Sequence, residues 1–271
     1  VTNAAPDLAA LLAQNTLFAI NHSGGKDSQA MMIKLLGMGI PKSQIVVVHA
    51  DLGDFEWKGT KAHAQAQAAA AGVPFIVCQA RDGHGNDKGM FDMLDQRLNK
   101  NLGLVVPVPT PKYRQCTSDL KRTPIERELK GYMRQNGFKV LVSCEGIRAE
   151  ESATRSKRKP WTRLGTMEEA GRTAFTWLPI FTMKLAEVLS TVADAGQELH
   201  WAYAAGNERL SCVFCIMGSK TDLANGARHN PGLFETMKTW EAETGFRWHA
   251  DMRPLAELVA EGEAILARRA A

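Results

Sequence analysis

Leu17-Phe18-Ala19-Ile20-Asn21-His22-Ser23-Gly24-Gly25-Lys26-Asp27-Ser28 is the stretch that decides the fold. Its first four residues form a short apolar run suited to a buried strand, and the glycine pair that follows turns the chain. From Asp27 to Leu36 the residues Met31, Met32, Leu35 and Leu36 fall on one helical stripe, which Gly37 can end. Strand, glycine turn and helix in that order also make an anion site. Two glycines let the backbone aim successive N–H groups at an anion, and the helix N-terminus adds partial positive charge. Lys26 can neutralise phosphate oxygens, while the Ser23 and Ser28 hydroxyls can donate to them. This is not a Walker A loop, because Ile20 stands where that pattern needs a glycine.

The pattern repeats outward from this stretch. Ile45 to Val48 and Phe75 to Cys78 read as buried strands, with an alanine-rich helix between them from about Trp57 to Ala71, stopped by Gly72. Strands alternating with helices predict an α/β fold with a parallel sheet. A helix follows near Met90 to Leu98, and Val105 to Pro111 carries three prolines, which predicts an extended connection. Thr123-Pro124-Ile125-Glu126 has the marks of a helix start, with a capping box, and that helix should run to about Gln135. Phe138 to Ser143 supplies a fourth strand and Trp177 to Phe181 a short fifth. Helices are expected at Leu185 to Ala195, Lys220 to Ala227, Gly232 to Thr244 and Leu255 to Arg268. The reading divides the chain into an α/β nucleotide-binding domain over 1–165 and a mainly helical C-terminal region over 166–271.

Composition narrows the class. With 271 residues, 45% hydrophobic and 23% charged, the chain is globular and long enough to fold without disulfides. No stretch has the length of uncharged apolar residues that a membrane span needs, and Val1 to Gln14 lacks the features of a signal peptide, so a cytoplasmic protein is expected. Thirty-three basic against 29 acidic residues give a net charge of +4, too little to establish nucleic-acid binding. The basic residues Arg148, Arg155, Lys157, Arg158, Lys159 and Arg163 do crowd one segment, which is either solvated surface or an anion or polynucleotide site. Five cysteines leave metal binding, catalysis or core packing open. Cys212-Val213-Phe214-Cys215 has a spacing that lets two thiolates meet one metal centre, yet a structural zinc site wants four ligands.

Ser23 to Ser28 matches SGGKDS, and the sequence thereby resembles the PP-loop ATP pyrophosphatase, or adenine-nucleotide α-hydrolase, superfamily. Three further segments extend the likeness. His49-Ala50-Asp51-Leu52-Gly53 stands where relatives carry an acidic residue at the end of the second strand. Gly146-Ile147-Arg148-Ala149-Glu150-Glu151-Ser152-Ala153-Thr154-Arg155 is similar to the G-x-R-x-x-x-S-x-x-R segment of the PAPS-reductase-like branch, and Trp177 to Phe181 to its following segment. The resemblance implies a Rossmann-like parallel sheet. It also implies that Ser23, Gly24, Gly25, Lys26, Asp27 and Ser28 hold phosphates or sulfate, and that Asp51 lies near the adenosine or a Mg²⁺ ion. Arg148 and Arg155 would then grip the anionic end of the nucleotide by forked hydrogen bonds.

Cys116 lies in a segment resembling the one where iron–sulfur members of the branch carry cluster cysteines, typically as a pair; here its neighbours are Gln115 and Thr117. The expectation is a 4Fe–4S cluster on Cys116, Cys212 and Cys215, with Cys144 or an outside ligand in fourth place; zinc, or packing without metal, are the alternatives. Cys78 is expected to be a strand thiol. Sulfonucleotide reductases of this branch also need a nucleophilic cysteine near the C-terminus, and no cysteine follows Cys215 in this sequence. Reduction of PAPS is therefore not expected unless Cys212 or Cys215 substitutes. The expected enzyme binds ATP or a related adenine nucleotide, splits it between the α- and β-phosphates and adenylates its substrate. A sulfur donor, which a partner protein would deliver, would then displace AMP from a nucleic-acid or small-molecule acceptor. A sulfonucleotide reductase and a nucleotide-binding subunit without turnover are the alternatives.

Overall fold

The computed structural model describes residues 6–101, 106–169 and 171–270. Val105, where the proline-rich connection was expected to begin, lies outside the described residues, as do the first five residues and Ala271. Along the chain the helices are α1 Leu8–Ala13, α2 Lys26–Gly37, α3 Thr60–Ala71, α4 Met90–Asn101, α5 Gln115–Thr117, α6 Thr123–Asn136 and α7 Leu185–Asp194. They continue with α8 Trp201–Ala204, α9 Lys220–His229, α10 Pro231–Thr244 and α11 Leu255–Ala270. The strands are β1 Thr16–Asn21, β2 Ile45–Asp51, β3 Phe75–Gln79, β4 Val140–Glu145, β5 Trp161–Arg163 and β6 Thr173–Trp177. They form one sheet in the order β3-β2-β1-β4-β6-β5. β1 pairs parallel with β2 and β4, and β4 with β6; β5 is antiparallel to β6. The fold is α/β with a mostly parallel sheet.

The chain forms two compact units, each assembled from three segments. The first comprises Val1–His49, Gly59–Cys78 and Ile125–Leu199; the second comprises Ala50–Lys58, Gln79–Pro124 and His200–Ala271. The expected division is a single cut at residue 165; here the second unit also draws on two earlier segments, the brief Ala50–Lys58 and the longer Gln79–Pro124 with α4 and α5.

In the first unit both faces of the sheet are covered. Along β1, Phe18 and Ile20 join one hydrophobic cluster, with Met31, Leu35 and Val142, while Leu17 and Ala19 join another, with Leu129, Met133 and Leu141. Strands buried on both faces read as unbroken apolar runs, which is why β1, β2 and β4 stood out in the sequence. Two expected elements are corrected. Thr123 is not a helix cap: its backbone is already helical, since the helical path begins at Gln115 and passes through a π-turn over Ser118–Arg122. The fifth strand lies at Thr173–Trp177 rather than Trp177–Phe181, where the Phe181 N–H closes a turn on Leu178. Its partner β5 has only three residues and gave no periodic signal.

In the second unit the helices surround a cluster that includes Phe55, Trp57, Met93, Leu94, Phe214, Trp248 and Leu255. A buried carboxylate organises its C-terminal third. Glu241 Oε1 accepts the Trp248 N–H at 2.7 Å, and Oε2 accepts the Leu255 N–H, at the start of α11, at 2.9 Å. A charged acceptor at a helix N-terminus is favoured by the helix dipole. Glu241→Gln, which keeps the shape but turns an N–H₂ toward one of those donors, should lower stability by about 1–3 kcal/mol in chemical denaturation; an unchanged midpoint would show that the two bonds are dispensable.

Candidate functional site

Strand order reverses at β1: the chain moves to β2 and β3 on one side and to β4 and β6 on the other. Open α/β sheets place ligands at such a switch, outside the carboxyl ends of the strands. The register pairs Asn21 with Glu145, so the segments leaving β1 and β4 start side by side. The segment after β1 is the glycine loop, and the one after β4 carries Gly146 and Arg148.

The loop is tightly built. Gly24 has φ +76°, a conformation that favours glycine. The Ser23 N–H donates to Ser28 Oγ at 3.2 Å, and Ser28 Oγ donates to the Gly25 carbonyl at 2.8 Å. Gly25 is the cap residue of α2, and no side chain caps that helix. The N-terminus of such a helix, with its partial positive charge, suits an anion. Gly146 is required by close approach: a Cβ there would lie 3.0 Å from the backbone carbon of Asp27 and the nitrogen of Ser28.

Asp27 takes a role that the sequence did not disclose. A carboxylate cannot donate to phosphate, and instead it holds the two cations expected to do so. Lys26 Nζ lies 3.2 Å from Asp27 Oδ2, and Arg148 Nε donates to Oδ1 at 2.6 Å. Arg148 is buried, pairs with Glu150 through its other arm, and donates its backbone N–H to Glu151 Oε2 at 2.9 Å. Arg155 pairs with Glu151, so it joins this network through a carboxylate. Arg158 and Arg163 likewise pair with Glu145 and Glu168, whereas Lys157 and Lys159 are exposed. Four of the six clustered basic residues are thus neutralised locally, which weakens the expected polynucleotide footprint.

The remaining expected site residues fall in different places. Asp51, at the end of β2, belongs to the second unit, and its Oδ1 accepts the Gly53 N–H at 2.9 Å, a local turn. Cys144 is fully buried in β4 among core residues of the first unit, with its thiol 3.7 Å from the Val142 carbonyl; burial pushes that thiol far up. Cys78, in β3, is also buried, its thiol pushed up to about 12.

Cys116, Cys212 and Cys215 all belong to the second unit, and they share one neighbour. Lys121 Nζ donates to Cys212 Sγ at 3.7 Å and is held charged by Cys212 first, then by Cys116, Cys215 and Glu56. Burial pushes the Cys116 and Cys212 thiols up, while the Lys121 ammonium opposes it in both. The Cys-x-x-Cys loop is pinned by its backbone: Val213 N–H to the Phe55 carbonyl, Cys215 N–H to the Cys212 carbonyl, and the Trp248 indole N–H to the Phe214 carbonyl. Thiols beside an ammonium suit metal ligation chemically. Even so, among the described residues no three His, Cys, Asp or Glu side chains are disposed to hold a metal ion. The side chains as placed do not fit a cluster, and Cys144 belongs to the first unit. No described helix is long and apolar enough to cross a membrane.

Comparison with known proteins bears on the same residues. The family model of the phosphoadenosine phosphosulfate reductase domain matches residues 18–217. No curated protein sequence matches the chain. Among solved structures, phosphoadenylyl-sulfate reductase from Candida auris, in a phosphate complex, is similar at 11% identity and a TM-score of 0.44, covering 72% of this chain and 80% of that one. FMN adenylyltransferase from Candida glabrata, with FAD and pyrophosphate, has 13% identity and a TM-score of 0.44; the match covers 72% of this chain and 55% of that enzyme, so it spans just over half of its length. The U34-tRNA thiolase NcsA from Methanococcus maripaludis, with its 4Fe–4S cluster, has 13% identity and a TM-score of 0.42, covering 95% of this chain and 75% of that one. Gly146→Ala should lower stability by about 1–3 kcal/mol, because the new methyl would press on the Asp27–Ser28 peptide, which is backbone and cannot swing aside. Chemical denaturation measures this, and an unshifted midpoint would mean that the two loops are not in contact.

Proposed function

The chain belongs to the phosphoadenosine phosphosulfate reductase domain family, and on that premise we propose that it is a PP-loop enzyme that activates a substrate oxygen with ATP. The observation that carries the reading is the uncapped start of α2 behind Gly24 and Gly25, with Lys26 and Arg148 beside it. The substrate oxygen attacks the α-phosphorus, the bond to the bridging oxygen breaks, and pyrophosphate leaves. The product is an adenylated substrate, from which a sulfur nucleophile can then displace AMP. First-turn amides of α2 and Lys26 would bind the pyrophosphate portion; a Mg²⁺ ion carried in with the nucleotide would add further charge neutralisation. Arg148 would exchange part of its pairing with Asp27 for an α-phosphate oxygen. Such catalysis is mostly positioning and charge neutralisation. The acceptor is a nucleic-acid base or a small molecule; the paired arginines after Ser152 give no preference between them.

For the sulfur half-reaction the residues at hand are Cys116, Cys212 and Cys215; burial pushes the Cys212 thiol up to about 11, and the Lys121 ammonium beside it offsets part of that rise. The same contact favours a second reading, a sulfonucleotide reductase that uses Cys212 as nucleophile. A nucleotide-binding subunit without turnover is the reading left if neither reaction occurs.

Lys26→Ala should weaken ATP binding about 10- to 100-fold in calorimetry, the loss of one charge-assisted contact; an unchanged affinity would place the phosphates elsewhere. With acceptor present, AMP and pyrophosphate should form in equal amounts. Cys212→Ser separates the readings: sulfite release from PAPS that this change abolishes would establish the reductase, whereas AMP formation that survives it supports adenylation. Iron and sulfide counts on anaerobically purified wild type test the cluster directly. Stoichiometric iron lost from Cys116→Ser, Cys212→Ser and Cys215→Ser would mean that the thiols rearrange around a metal.

A further inference from the structure

The phosphate loop rests on a side chain that the adenylation chemistry does not use. His22 is 2% exposed and lies directly behind the loop. Its Nδ1 accepts the Gly24 N–H at 3.1 Å, and its Nε2 lies 2.8 Å from Gln67 Oε1. Gln67 Nε2 in turn lies 2.8 Å from Nε2 of His63. His63 and Gln67 sit one turn apart on α3, so they share a face of that helix. Three side chains thus connect a half-buried position on α3 to the residue with positive φ in the loop.

The direction of these bonds follows from the first. A backbone N–H can only donate, so Nδ1 of His22 is a bare acceptor and the proton resides on Nε2. That N–H donates to Gln67 Oε1, which turns the Gln67 amide nitrogen toward His63. Nε2 of His63 then accepts, leaving its own proton on Nδ1. A reversed Gln67 amide would present an N–H to His22 Nε2 and force the imidazole proton onto Nδ1, facing the Gly24 N–H. The loop would lose its anchor. Burial, with His49 and His63 nearby, keeps His22 neutral by lowering its pKa to about 3, although the Gln67 bond opposes this.

We propose that His22 is the positioning residue of the phosphate loop, and that Gln67 and His63 set its tautomer so that the loop is shaped before a phosphate chain arrives. The proposal rests on reading the loop as a nucleotide phosphate site. It assigns the Gly24 N–H to the loop's own architecture and leaves the anion to the amides from Gly25 into α2. Preorganisation of this kind raises affinity by removing the cost of ordering the site.

Two substitutions separate the bonds. His22→Asn places an oxygen near the Nδ1 position and can still accept from Gly24. His22→Gln reaches the Nε2 position and keeps the bond to Gln67 but not the one to Gly24. Calorimetry with ATP on the full chain should find His22→Gln about tenfold weaker than His22→Asn, the size of one lost hydrogen bond. Gln67→Leu should weaken binding while the melting temperature reports any loss of fold. Heteronuclear NMR of nitrogen-labelled histidine should find His22 of the unaltered chain protonated on Nε2 alone. Equal affinities for the Asn and Gln variants, or a proton on Nδ1, would overturn the proposal. Failure of the unaltered chain to bind ATP is failure of the phosphate-site reading; a Nε2–H tautomer would then uphold the relay itself and refute its role in binding phosphate.

Discussion

Parallel pairing of Thr16–Asn21 with Val140–Glu145 is the contact on which the rest of the candidate site depends. These strands are separated by more than a hundred residues, yet their register brings the segments leaving them to the same height. Without that register, Arg148 could not reach Asp27, and Gly146 would have no backbone to clear. A one-residue slip would turn each strand's buried side chains to the opposite face. The apolar clusters on both faces therefore fix the site's geometry from beneath. Packing alone does this work, since β1, β2 and β4 expose no side chain fully.

Asp27 is the second element of this arrangement. Two cations and a helix N-terminus converge on one point, and a neighbouring carboxylate keeps that charge from standing uncompensated. Such a counter-charge holds Lys26 and Arg148 in one place at the expense of their free strength toward an anion. Preorganised electrostatics of this sort are effective because little reorientation remains when the ligand's charge arrives.

Much of this was legible in the sequence, for physical reasons that differ by element. The strands β1, β2 and β4 are apolar throughout because both faces of a parallel sheet are covered, and the loop was legible because glycine, lysine and serine have specific duties at an anion site. The capping box at Thr123 misled because the local signal was genuine in composition but the preceding turn was already helical. The short edge strand β5 was invisible because three residues carry no period. Gln67 could not have been found, since its role arises from an imidazole 45 residues away in sequence. Asp27 was counted among the phosphate holders by its place in the motif, and the motif gave no sign that its carboxylate pairs with Lys26 and Arg148.

The interleaving of the two units has a consequence for how the chain acquires its structure. Phe55 and Trp57 belong to a core whose C-terminal aromatic members, Phe214, Trp240 and Trp248, are made about 160 to 190 residues later. The middle segment of the second unit, Gln79–Pro124, supplies Met93, Leu94 and Phe91 to the same core, so during synthesis Phe55 meets its edge-on partner Phe91 before the C-terminal aromatic side chains are made. Loops that close only late fold slowly and leave apolar surface exposed meanwhile. The stretch carrying Phe55 and Trp57 is brief, nine residues from Ala50 to Lys58, and the longer segment Gln79–Pro124 carries the rest of the early apolar surface. The core stays incomplete until the segment from His200 onward is made, which ties its final closure to the end of synthesis.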